Sequence, residues 1–102
     1  MTITADKIQF TDANIKEVAA EAGVYSLYEG ETIIYFGRAQ GGEVTIRSRL
    51  TDHREGREGP CTKNATAFNV EITSSAVARE KELLEEYKNL HNSLPRCNEK
   101  VA

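Results

Sequence analysis

The stretch Ala76–Leu90, AVAREKELLEEYKNL, constrains this chain's fold most. At about 100° per residue, Ala76, Leu83, Leu84, Tyr87 and Leu90 fall on one face of a helix. Glu80 falls between them. Glu82, Glu85 and Glu86 fall on the other side, and Arg79 lies at the edge of the stripe. A glutamate is almost never fully buried without a partner. Glu80 is therefore expected to face a cation, a cavity or a metal. A structural ion pair with an arginine from elsewhere and a functional site are the two readings of that position.

The remaining bounds are those of a small soluble fold. A length of 102 residues predicts one domain over residues 1–102. Hydrophobic and charged contents of 39% and 28% are ordinary for a globular domain. No apolar run approaches the roughly 18 residues of a membrane span. The opening MTITADKIQF lacks the basic and apolar regions of a signal peptide. A cytoplasmic protein is expected, with no membrane partner, and in that compartment Cys61 and Cys97 are expected to be free thiols.

Net charge is −3, which argues weakly against a dedicated nucleic-acid binder. Its distribution is uneven. Only residues 38–63 are net positive, with Arg38, Arg47, Arg49, Arg54, Arg57 and Lys63 against Glu43, Asp52, Glu55 and Glu58. That segment can contact phosphate, although such a pattern is more often a solvated helix face.

Thr11 or Asp12 can cap a helix over about residues 12–21, with Ile15, Val18 and Ala19 inward and Gly23 just past its end. Val24–Tyr28 and Thr32–Gly37, separated by Glu29-Gly30-Glu31, read as a β-hairpin. Gly41-Gly42 breaks the chain. Glu43–His53 reads as a helix with Ile46 and Leu50 buried, and residues 54–64 as a loop. Ala67–Ile72 reads as a third strand. Ser74 or Ser75 caps the helix that carries Glu80, and residues 94–98 form an irregular tail. This order predicts an α+β domain with a small three-stranded antiparallel sheet flanked by helices.

Gly23-Val24-Tyr25 and Tyr35-Phe36-Gly37 stand at the start of the first hairpin strand and the end of the second. Further along come Arg38, then Arg49 with His53 four residues on, then Ala78-Arg79-Glu80 with Leu83-Leu84, and finally Pro95 and Asn98. This ordered set resembles the GIY-YIG nuclease domain over Gly23–Asn98. Its signature pairs a Gly-aliphatic-Tyr strand with a Tyr-aliphatic-Gly strand. Three spacings depart from the pattern: Tyr35 to Arg49 and Glu80 to Pro95 are longer, and the hairpin is about a residue shorter.

The resemblance implies a metal-dependent endonuclease that hydrolyses DNA phosphodiester bonds, in DNA repair or in processing structured DNA. Its catalytic residues are implied to be Tyr25, Tyr35, Arg49, His53 and Glu80. Glu80 would hold Mg²⁺ or Mn²⁺, and Arg38, Asn98, Gly23 and Gly37 would support the site. Arginine suits phosphate through its planar fork. Tyr25 is implied as the base or water-orienting group, with Tyr35 supporting it or exchanging that role. A phenol with an ordinary pKa near 10 can be a base only where cations lower it. His53 would orient or relay the proton, and Asn98 would brace the site.

Residue spacing adds two independent points. Arg49 and His53 share a helix face, being four apart. Arg47 lies about 200° from Arg49 and cannot join them. The two tyrosines can share a face only across an odd-numbered loop, absent a bulge. A three-residue loop at Glu29-Gly30-Glu31 would set Tyr25 opposite Tyr35.

Taken singly, these residues have ordinary readings: Tyr25 and Tyr35 as core aromatics, His53 as a helix-end histidine favoured by the dipole, and Arg38 and His91 as surface residues. The rival functional class is a catalytically weak or silent module that binds nucleic acid or protein through the same cleft. Either class leaves room for a protein partner that supplies targeting.

Overall fold

A computed structural model describes Ile3 and residues 5–99. Among the described residues nine elements follow in order: β1 (Ile8–Gln9), α1 (Asp12–Lys16), β2 (Gly23–Glu29), β3 (Thr32–Ala39), α2 (Ile46–Arg54), α3 (Pro60–Lys63), β4 (Ala67–Ile72), α4 (Ala76–His91) and α5 (Arg96–Glu99). The architecture is α+β. The sheet has four antiparallel strands in the order β1-β4-β2-β3, not three. The added strand is two residues long, pairing Ile8 with Phe68 and Gln9 with Ala67. Two residues are too few to show the period-2 alternation by which strands are read.

The β2–β3 hairpin corrects the expected register. Glu29 pairs with Thr32, so the loop has two residues, Gly30 and Glu31. Gly30 has φ 61°, in the left-handed region that favours glycine. Beyond the turn, Tyr28 pairs with Ile33 but Leu27 pairs with Tyr35. Ile34 is thus an extra residue, a bulge that flips the parity of the pairing. Tyr25 consequently faces Gly37 rather than Tyr35, yet both tyrosines stay on one face of the sheet. A two-residue loop with a bulge has done what a three-residue loop was expected to do.

The helices differ mainly at their ends. α1 stops at Lys16 rather than near residue 21, although Val18 beyond it is still buried. α2 starts at Ile46 because Thr45 and Ser48 form a reciprocal capping box. The residues before it, Gly41 to Val44, instead close a turn through a single bridge. Residues 60–63, expected in a loop, form α3 with Pro60 in its first turn, where a missing N–H costs nothing. The tail expected to be irregular contains α5.

The core lies on both faces of the sheet. Tyr25, Leu27, Tyr35 and Phe68 pack against Phe10, Ile15, Ile46 and Leu50 on one face. Val24 and Phe36 pack against Ala76 and Leu83 of α4 on the other. The α4 stripe fades outward: Leu84 and Tyr87 are partly buried and Leu90 is exposed. No helix among the described residues is long and apolar enough to cross a membrane.

Cys61 and Cys97 are not free thiols. They form a disulfide, with Cα atoms 5.7 Å apart. A separation of 36 residues carried no hint of this. The chain leaves α3 and runs through β4 and α4 before α5 brings Cys97 back beside Cys61.

Candidate functional cleft

Gly23 and Gly37 are small for steric reasons. A Cβ on Gly23 would strike the carbonyl of Glu71 and come within 2.6 Å of Ile46 Cδ1. A Cβ on Gly37 would strike the phenol of Tyr25 and lie 2.8 Å from Tyr35 Cε2. The ring of Tyr25 therefore lies across Gly37, its partner in the register.

Three rings meet there. The centroids of Tyr25 and Tyr35 are 6.2 Å apart, those of Tyr25 and His53 5.6 Å, and those of Tyr35 and His53 4.9 Å. His53 lies in the last turn of α2 and is fully buried. Its Nε2 lies 2.8 Å from the Tyr25 hydroxyl and its Nδ1 2.7 Å from Thr62 Oγ1. Thr62 is itself buried. The result is a closed chain, Thr62–His53–Tyr25, with both imidazole nitrogens engaged.

Burial and the charge of Arg49 push His53 down to about 4, against a weaker pull from Asp52. The imidazole is neutral near pH 7. Burial raises both phenols above their ordinary range, and for each the nearby Arg49 only partly offsets it. For both phenols loss of hydration outweighs the guanidinium of Arg49 alone.

Above this cluster opens a cleft of about 360 Å³ lined by Tyr35, Arg38, Gln40, Val44, Arg49 and Glu80. β3 supplies Tyr35 and Arg38, α2 supplies Arg49 and α4 supplies Glu80. Tyr25 and His53 lie beneath its floor rather than on it. Glu80 does face a cation: its Oε1 is 2.6 Å from Arg38 Nη1. The Glu80 side chain is 16% exposed and that of Arg38 46%, so the pair sits at the cleft mouth. Arg49 Nη2 reaches Glu58 at 3.3 Å, while its buried Nε has no hydrogen-bond partner.

Asn98 braces the opposite side of β3. Its Oδ1 accepts from the N–H of Phe36 and its Nδ2 donates to the carbonyl of Phe36, each at 2.9 Å. β3 is an edge strand, and this amide pairs with it as a neighbouring strand would. Arg47 points away from Arg49, its Nε donating to the carbonyl of Val18. His91 is exposed and stacks on Tyr87.

Of the six residues expected to share the site, Tyr35, Arg38, Arg49 and Glu80 line the cleft, while Tyr25 and His53 are buried and pack against Tyr35. The sequence-level reading missed Thr62, Glu58, Gln40 and Val44. Thr62 carried no signal, being one threonine in a segment broken by glycine and proline. Glu58 looked only like an acid diluting a basic loop.

Among the described residues, no three His, Cys, Asp or Glu side chains gather into a metal-binding group. The donor set at the cleft is one carboxylate. That suits Mg²⁺, which takes one or two carboxylates and completes its shell with water and substrate phosphate.

Comparison with known protein families, with curated proteins and with solved structures returned no match.

Proposed function

We propose that this chain is a metal-dependent endonuclease that hydrolyses DNA phosphodiester bonds, as its resemblance to the GIY-YIG nucleases implies. The observation that carries the reading is the convergence of Tyr35, Arg38, Arg49 and Glu80, from three separate elements, on one cleft. A guanidinium is shaped to meet phosphate oxygens.

In this reading Arg49 and Arg38 hold the scissile phosphate. Tyr35, which lines the cleft, orients the attacking water. Tyr25 and His53 act from beneath, where neutral His53 can accept a proton through Tyr25. Thr62 fixes the other face of the imidazole, and Asn98 holds the backbone of Phe36 between Tyr35 and Gly37. Glu80 would hold Mg²⁺ or Mn²⁺, which when bound supplies charge neutralisation on phosphate and on the leaving oxygen.

The test is cleavage of a panel of branched and linear DNAs, with Mg²⁺ or Mn²⁺, by wild type and Glu80→Gln. Products from the wild type alone support the enzyme.

A second reading, a silent nucleic-acid or protein binding module, is favoured by one observation. Glu80 is already engaged by Arg38, and both phenols are held protonated by burial. Binding without cleavage under any metal would favour it. The Cys61–Cys97 bond also pulls against a cytoplasmic placement, because a reducing cytosol opens most disulfides. Thiol counting on protein alkylated inside cells separates the two.

A further inference from the structure

A second concave surface lies on the other flank of α2. It is a groove of about 590 Å³ lined by Asp12, Ile15, Lys16, Arg47, Thr51, Arg54, Glu55 and Lys63. Helix geometry separates it from the cleft. Arg47, Thr51 and Arg54 lie within about 60° of one another on α2, and Arg49 lies on the far side of the helix. The two surfaces therefore share one helix and no lining residue.

Its charge is more one-sided than its composition. Asp12 is paired with Arg54 at 3.2 Å, and the Arg54 guanidinium also lies over the ring of Phe10. Glu55 is paired at 2.8 Å with Arg57, which does not line the groove. Both acids are thus engaged. Lys16 and Lys63 are exposed and meet no acid among the described residues. Arg47 is held only through its Nε, by the carbonyl of Val18, which leaves the outer end of its guanidinium facing the groove. That bond anchors the arginine at its stem, so little freedom remains to be lost on binding. In a chain of net charge −3, three cations around one groove that pair with no acid among the described residues form a local exception.

We infer that this groove binds the phosphodiester backbone of a nucleic acid away from the bond being cut, through Lys16, Arg47 and Lys63. A backbone fits better than a single anion. The groove is larger than the cleft, and its cations come from α1, α2 and α3 rather than converging from one turn. The inference rests on the partner being a nucleic acid, and not on the cutting chemistry.

The experiment is fluorescence anisotropy of a labelled branched DNA with the full chain, in EDTA so that no cleavage intrudes, across a salt series. Lys16→Gln/Arg47→Gln/Lys63→Gln is expected to bind roughly tenfold or more weakly. Its log–log salt slope should fall by about 1 per cation removed. Lys16→Gln/Lys63→Gln touches no structural hydrogen bond, so it keeps the test open if the triple variant does not fold. It should lower the slope by about 2. An unchanged affinity and slope in a folded variant overturns the inference. So does equal, groove-dependent binding of polyglutamate, which would make the groove a general anion patch. Groove-dependent binding with no cleavage under any metal removes the nuclease reading and leaves the groove. Cleavage by a protein whose binding ignores the groove does the reverse.

Discussion

The ring of Tyr25 occupies the space that a side chain on Gly37 would need. The two residues are partners in the β2–β3 register, so the glycine and the tyrosine are two halves of one packing contact. Gly37→Ala should therefore damage the site without touching any charged group. Overpacking of this kind costs about 1–3 kcal/mol. Urea unfolding and the near-ultraviolet tyrosine signal should both change. A variant with wild-type stability and spectrum would show that the ring has room to move.

Asn98 bonds both backbone groups of Phe36. Asn98→Ala removes two hydrogen bonds at a part-buried position, each worth about 0.5–1.5 kcal/mol. The loss of stability should be about 1–3 kcal/mol, and the Phe36 amide should exchange with solvent much faster. Unchanged exchange at Phe36 would mean that the amide does not brace the strand.

His53 makes the fold sensitive to mild acid. Its folded pKa of about 4 lies below the unfolded value of about 6.5, so between these the unfolded chain binds more protons. Its contribution is fully present above about pH 6.5 and is lost as pH falls toward 4. The shift corresponds to about 3 kcal/mol. Chemical unfolding across that range should show the loss, and His53→Gln should flatten the profile while lowering stability throughout. An identical slope in the variant would assign the acid sensitivity to other groups.

Glu80→Gln should leave metal-free stability within about 1 kcal/mol of wild type. The Arg38 it abandons is half exposed, and surface pairs contribute little. Activity should vanish. Mg²⁺ should raise the wild-type melting temperature through mass action and leave the variant's unchanged. Equal melts of wild type with and without Mg²⁺ would reject the ligand role.

How far these sites could be read in advance depended on sequence distance. Arg49 and His53 shared a face because four residues make about one helical turn, and that holds in any fold. Glu80 stood out because a carboxylate in an apolar stripe needs a partner, and Arg38 proved to be that partner. The Ile34 bulge was not legible, because an isoleucine in a bulge looks like any isoleucine in a strand. Nor was β1, whose two residues gain their meaning only from Phe68 and Ala67 across the sheet. Thr62 and the Cys61–Cys97 bond are contacts between segments that local pattern does not link. The depth of Tyr25 was not legible for a related reason: charge can be counted along the chain, but burial cannot.

The disulfide gives the molecule a covalent topology. Joining Cys61 to Cys97 closes a ring that contains β4 and α4, and therefore Glu80. Tyr25, Tyr35, Arg38, Arg49 and His53 all lie on the open arm that precedes it. A protease nick inside the ring leaves Glu80 tethered to both tyrosines. A nick anywhere between His53 and Cys61 parts the two halves of the cleft into fragments held only by packing. The cleft is thus assembled across a seam, and residues 54–60 are the single stretch of backbone that keeps its two sides one molecule.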